Sequence, residues 1–181
     1  MSTATETAAY PWHLARERVL ADGRAVLVRP VYPDDAPHEA NFLAHLSDDA
    51  RRNRFQCLSV PDAKDLARFY TRVDYDQHMA FVCTARENGR ELIVGDARYF
   101  ANPDRRSCEF GIVVADRWRH TGVAQHLMRA LLAHAKDRGF AAMGSFVMRA
   151  NRDMLDFARS LGFGVEDLPA DPERVRITLA L

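Results

Sequence analysis

The stretch Arg119-His120-Thr121-Gly122-Val123-Ala124 follows a short apolar run and precedes a long amphipathic repeat, so it reads as strand, tight turn and helix N-terminus. Free N–H groups in a first helical turn, with the aligned peptide dipoles behind them, suit that arrangement to holding phosphate. Small Gly122 and Ala124 let the backbone approach an anion, and Arg119 can add a charge-assisted bond. The bland alternative is a surface turn with an exposed arginine. The stretch has neither Gly-x-Gly-x-x-Gly nor Gly-Lys-Ser/Thr, so it is not one of the common nucleotide loops. A second candidate is Glu109, the one carboxylate in the strand-like run Ser107 to Val114. It can act as a general base; otherwise it faces solvent or pairs with an arginine such as Arg98. Its neighbour Cys108 is a candidate nucleophile, but strand alternation sends adjacent side chains to opposite faces.

Cys57, Cys83 and Cys108 are odd in number, widely spaced and without a CxxC pair, which argues against a disulfide framework or a zinc site and for buried free thiols. His13, His38, His45, His78, His120, His126 and His134 show no metal-ligand spacing, and His126 and His134 fall on the polar side of their helix. No metal is expected. The 181 residues carry 25 Lys plus Arg against 25 Asp plus Glu, so no global positive field points to nucleic acid or an anionic membrane. No apolar run approaches the roughly 20 residues that span a bilayer, and the first residues lack a secretory pattern, so a soluble cytoplasmic chain is expected.

Positioning these groups requires a sheet and helices. Residues 1–12 are unpatterned and read as a flexible tail, with residues 13–181 forming a single domain. Arg16 to Ala21 and Arg24 to Arg29 flank an Asp22-Gly23 hairpin turn. Asp34 or Asp35 caps a helix to about Leu46 with Phe42, Leu43 and Leu46 on one face; a second helix starts near Ser47. Pro61-Asp62 opens a third that carries Leu66, Phe69 and Tyr70. Strands follow at Met79 to Ala85, Glu91 to Tyr99 and Ser107 to Val114. Val123, Ala124, Leu127, Met128, Leu131, Leu132 and Ala135 then mark one buried helical face, closed by Gly139. Phe140 to Met148 is a strand, Asn151 caps a helix that Gly162 ends, and Val175 to Leu179 alternates as a last strand.

Arg119-x-x-Gly122-x-Ala124 resembles Arg/Gln-x-x-Gly-x-Gly/Ala, the pyrophosphate loop of the GNAT superfamily of acyl-CoA N-acyltransferases. The likeness extends over about residues 13–168. It is closest to the acetyltransferase domain of bacterial Pat-type protein lysine acetyltransferases, through Leu20 to Arg24, Val28-Arg29-Pro30, Ser47 to Phe55, Asp74-Tyr75-Asp76, Ile93 to Arg98, Cys108-Glu109-Phe110, Val113 to Trp118 and Asn151 to Leu155. The resemblance implies an α/β (α+β) fold: one mixed, mostly antiparallel sheet of about six to seven strands covered by helices, splayed between the family's fourth and fifth strands. It implies acetyl-CoA as co-substrate, with Arg119, His120, Thr121, Gly122, Val123 and Ala124 around the pyrophosphate. Ile112, Val113 and Val114 would pair with the pantetheine arm as if it were another strand. Asn151 matches a cofactor-contacting position, although a plain N-cap is its other role.

Glu109 matches the expected general base. A lysine ammonium with a pKa near 10.4 is neutral in on the order of one molecule in a thousand at pH 7, so such a base matters. The amine would attack directly, with the oxyanion held by a backbone N–H near Val114. Many members place a tyrosine acid where this chain has Ala158, so that role does not transfer; Tyr75 and Tyr99 are substitutes, unless they are core or rim aromatics. The mixed-charge run Asp48 to Arg54 reads as a solvated helix face, at a place that borders the Pat-type acceptor groove. The implied acceptor is a protein lysine, with acyl-CoA synthetases suggested; a small-molecule amine, or a catalytically idle acyl-CoA-binding domain, are the alternatives. A monomer or homodimer is expected.

Overall fold

Hydrophobic periods of two and of 3.6 residues divide the chain into strands and helices, and the computed structural model describes residues 10–56 and 62–181 of them. The hairpin around Asp22-Gly23 joins β1 (Arg16–Val19) to β2 (Ala25–Pro30). Three short helices follow: α1 (Ala36–Ala44), α2 (Asp48–Phe55) and α3 (Ala63–Tyr70). Ser47 and Asp62 cap the last two by accepting from the N–H groups of Ala50 and Lys64. The strands β3 (His78–Glu87), β4 (Arg90–Ala101) and β5 (Ser107–Val114) form an antiparallel meander. Then come α4 (Val123–Asp137), β6 (Ala142–Met148), α5 (Arg152–Ser160), β7 (Gly164–Asp167) and β8 (Arg174–Ala180).

The eight strands of the described residues lie in one sheet of order β1-β2-β3-β4-β5-β6-β8-β7, in which β5 and β6 pair in parallel. The mixed, mostly antiparallel architecture is the expected one, with one strand more than expected. That strand is β7, whose sequence Gly-Val-Glu-Asp lacks apolar alternation because it lies mostly exposed at the sheet edge.

Strand alternation gives the sheet two faces. Met79, Phe81, Tyr99, Cys108, Phe110 and Met143 pack with Leu127, Met128 and Leu131 of α4 and Leu155 of α5. Ala80, Val82 and Val113 pack on the other side with Phe42, Leu43 and Leu46, as well as Ala50, Ala67 and Tyr70. Leu66 joins that second cluster, but Phe69, expected with it, is 56% exposed. Tyr10 and Trp12 also depart from the expected tail. The Tyr10 hydroxyl donates to the Pro30 carbonyl at 2.7 Å and its ring sits edge-on to Tyr32, because aromatic area is better spent against the domain than in water. Residues 1–9, Cys57 and Pro61 lie outside the described residues; Cys83 and Cys108 are buried free thiols. Among the described residues no helix is long and apolar enough to cross a membrane.

The parallel pairing of β5 and β6 is short: Ser107, Cys108 and Glu109 face Ala142, Met143 and Gly144, and then the strands part. β6 continues along β8 up to Met148. The sheet is therefore split between these two strands, with Glu109 where the split begins.

Candidate active site

The split opens a cavity of about 700 Å³. Ile112, Val113 and Val114 form its β5 wall, Gly122 and Ala124 its end at α4, and Asn151, Met154 and Phe157 its α5 wall. Glu109, Arg119 and His120 line it too, while Thr121 and Val123, expected in the same loop, do not. The Thr121 hydroxyl donates to the Trp118 carbonyl at 2.7 Å and closes the turn. The Val123 side chain is fully buried in the α4 core, so only its backbone belongs to the open helix end.

Backbone pairing separates the three β5 residues. The Ala115 N–H donates to the Val94 carbonyl at 2.9 Å, so by antiparallel alternation Val113, Gly111 and Glu109 exchange bonds with β4. The peptide groups of Ile112 and Val114 are thereby directed to the other side, where β6 has already left. They form a free strand edge along the cavity, ready to pair with an extended amide-bearing chain. Val113 contributes differently: its backbone faces Asp96 and its side chain belongs to the second core cluster.

At the far end, Gly122 occupies the N-cap position of α4 with φ of 101°, a conformation suited to glycine, and no side chain among the described residues caps the helix. The first-turn N–H groups of this 15-residue helix therefore lack the side-chain partner that most helices supply. His120 also has positive φ, at 60°. Arg119 is held beside the loop by Asp116 at 2.8 Å, and Asp116 accepts from Ser47. Asn151 caps α5, its side chain accepting from the Met154 N–H at 3.2 Å, while its residue lines the cavity.

Glu109 is exposed at the cleft and makes no ion pair among the described residues. It is not Arg98's partner. Arg98 is fully buried, donating to Asp96 through Nε at 3.0 Å and to the Tyr70 carbonyl at 2.8 Å, with Glu39 at 3.6 Å. Cys108 faces the α4 core, and burial pushes its thiol up to about 12. Neither Tyr75 nor Tyr99 reaches the cavity. Tyr75 donates to the Val31 carbonyl at 2.9 Å, and Tyr99 is buried on the α4 side, bonded to the Asp76 carbonyl and His134 Nδ1. That bond also removes His134 from the solvated positions expected of it. Ala158 is fully buried in the same core.

Two features escaped the sequence reading. Arg54, from the run expected to be a solvated helix face, lines the cavity with its guanidinium against Gly111, where an added Cβ would lie 2.7 Å from Cζ. Glu39, Asp96 and Arg98 form a buried ionic cluster behind it. Burial, and next the charge of Asp96, raise the Glu39 pKa to about 8, and both its oxygens lack a hydrogen-bond partner among the described residues. The residues lie 39, 96 and 98 along the chain, so no local signal joins them.

Comparison with known proteins agrees with this geometry. The model of the acetyltransferase (GNAT) family matches residues 41–163. Acetyltransferase PA5475 of Pseudomonas aeruginosa is 36% identical over 162 residues, covering 90% of this chain and 87% of that protein. In structure, the GNAT domain of S. lividans PAT superposes with a TM-score of 0.82 at 24% identity, covering 95% of this chain and 99% of that one. A cAMP-binding acyltransferase from Mycobacterium smegmatis gives 0.61 at 22% identity, covering 92% of this chain and 46% of that one. The family uses acetyl-CoA as co-substrate. The family model and the relative together place this chain in the GNAT acetyltransferase family, as an N-acetyltransferase.

Proposed function

We propose that this enzyme transfers an acetyl group from acetyl-CoA directly to a protein lysine, with Glu109 accepting the proton. The observation that carries the reading is that one cavity brings together a free β5 edge, a helix N-terminus and a carboxylate, the last two without a side-chain cap or an ion-pair partner among the described residues.

The residues fit the co-substrate. The open first turn of α4, with Gly122, Ala124, Arg119 and His120 around it, would take the pyrophosphate. The peptide groups of Ile112 and Val114 would pair with the amides of the pantetheine arm, and Asn151 closes the opposite wall. Acetyl-CoA, when bound, supplies the acetyl group as an activated thioester with a good leaving thiolate. The Val114 N–H is the donor this chain offers to the thioester oxygen. Glu109, exposed and without an ion-pair partner among the described residues, is free to take the ammonium proton directly or through water. With Ala158 buried and Tyr75 and Tyr99 engaged elsewhere, no tyrosine on the cavity wall supplies an acid. As the C–S bond breaks, the thiolate takes its proton from water or takes the second proton that the attacking nitrogen sheds on becoming an amide.

The lysine acceptor is supported by the Pat-type motifs and by the fold shared with the S. lividans PAT domain. An acyl-CoA synthetase is the acceptor this likeness suggests. Incubation with labelled acetyl-CoA and a host extract, followed by mass spectrometry, tests it: label on lysines of proteins is expected. Turnover of free amines with no labelled protein would reject the lysine assignment. Equal thioester cleavage by wild type and Glu109→Gln would instead mark an idle acyl-CoA-binding domain.

A further inference from the structure

Phe69 and Phe100 are 56% and 36% exposed, although each is a large aromatic that folding normally covers. They do not stand alone. Their rings are 6.0 Å apart and within 15° of parallel, and His78 stacks on Phe100 at 4.1 Å and 23°. His78 is fixed from behind: its Nδ1 lies 3.2 Å from the Arg72 carbonyl and its Nε2 3.4 Å from Arg98 Nη1. With Nδ1 donating to the carbonyl and Nε2 accepting from the guanidinium, the ring is neutral. Burial and then the Arg98 charge lower its pKa, in keeping with that. The three rings stack into one uncharged ledge built from α3, β3 and β4, with Phe69 and Phe100 exposed and His78 buried.

The ledge is continuous with the cleft. His78 pairs with Phe100, Phe100 with Glu109, and Glu109 with Gly144, so these positions form one row across the sheet. Cross-strand partners share a face, with Cβ atoms about 5 Å apart. Glu109 thus lies between Phe100 and Gly144 in this row, with the aromatic residue as its neighbour on the ledge side. Long cationic side chains lay their methylene stems along apolar surface while the charged head stays in polar surroundings. A lysine with its nitrogen at Glu109 would run its stem over Phe100 and leave its own backbone above Phe69.

We propose that the Phe69–Phe100 ledge is the docking surface for the acceptor polypeptide, selecting a lysine that has an apolar side chain next to it. This rests on the reading of a lysine acceptor at Glu109. The occupant follows from continuity with the carboxylate and from the absence of charge on the ledge, which suits an apolar flanking residue better than an acidic or basic one. Phe69, more than half exposed near the end of α3, can be changed without opening the core.

The test compares two short synthetic peptides, each with one lysine flanked either by leucine or by serine, and uses n-butylamine as a third acceptor. Wild type is expected to prefer the leucine-flanked peptide through a lower KM. Phe69→Ser should raise that KM about tenfold with little change in kcat. The KM for the serine-flanked peptide and for acetyl-CoA should stay as they were, and Phe69→Leu should recover most of the loss. Equal KM for the two peptides in wild type, or an equal effect of Phe69→Ser on both, overturns the ledge while the lysine assignment stands. Acetylation of n-butylamine but of neither peptide overturns both. Sedimentation is the remaining check: a wild-type dimer that Phe69→Ser dissociates would show the ledge to be covered by a second copy of the chain, which also overturns the proposal.

Discussion

Replacing Gly95 by alanine tests whether the seating of α4 on the sheet positions the co-substrate. A Cβ at Gly95 would lie 2.9 Å from Leu127 Cδ1 and 3.0 Å from Val123 Cγ1, about half an ångström inside ordinary contact. Both neighbours are fully buried in the first turns of α4, so neither can swing away. The helix start must lift or the core must strain. Overpacking of this kind costs about 1–3 kcal/mol. For a chain of this size each kcal/mol lowers Tm by about 2–4 °C, so a drop of roughly 2–12 °C is expected. Lifting the N-terminus of α4 also moves the N–H groups proposed to hold the pyrophosphate. Thermal melts with and without coenzyme A read both effects. Saturating ligand at 100 times Kd stabilises wild type by about 2.7 kcal/mol, and the variant should show a clearly smaller rise. Gly164→Ala is the control: its Cβ meets nothing closer than 3.7 Å and should alter neither quantity. A Tm drop in Gly95→Ala with an undiminished coenzyme A response would refute the reasoning, because α4 could then shift without disturbing the ligand.

Glu109→Gln should lower kcat/KM for an amine by about 10²–10⁴ while leaving Tm unchanged, since the side chain is exposed and makes no ion pair among the described residues. The residual rate should keep climbing with pH toward the free amine pKa of about 10.4, and a loss below tenfold would count against the base. The buried Glu39 gives a pH signature of opposite kind. Its pKa is raised by burial and then by Asp96, so the folded state holds a proton the unfolded chain releases, and stability falls as pH rises from 4.5 to about 8. Glu39→Gln cannot ionise, so denaturant midpoints should show the variant gaining on wild type through that window, by at most about 1.4 kcal/mol per pH unit. Parallel curves would mean that Glu39 is ionised throughout.

Local periodicity made most elements legible. The α4 face, the Asn151 cap and the positive-φ glycines Gly139 and Gly162 were readable because each depends on residues a few positions apart. Register was not. Ile112, Val113 and Val114 look alike in sequence, yet pairing of β4 with β5 directs the peptide groups of two of them to the cleft and those of the third to β4. Helical spacing grouped Phe69 with Leu66 and Tyr70, whereas its exposure follows from how α3 lies against β3 and β4. Arg54 looked solvated because the run around it alternates in charge; its place over Gly111 depends on a glycine in another element. The ionic cluster of Glu39, Asp96 and Arg98 is likewise a product of packing between α1 and β4.

Residue-resolved amide hydrogen exchange, with and without coenzyme A, addresses the split sheet most directly. The account predicts that the Ile112 and Val114 amides exchange readily in the free protein and become protected by the ligand, together with the first-turn amides of α4. Val113, already paired with Asp96, should be protected in both states. Ligand-saturated protein in which Ile112 and Val114 exchange as fast as before would contradict the placement of acetyl-CoA between β5 and β6.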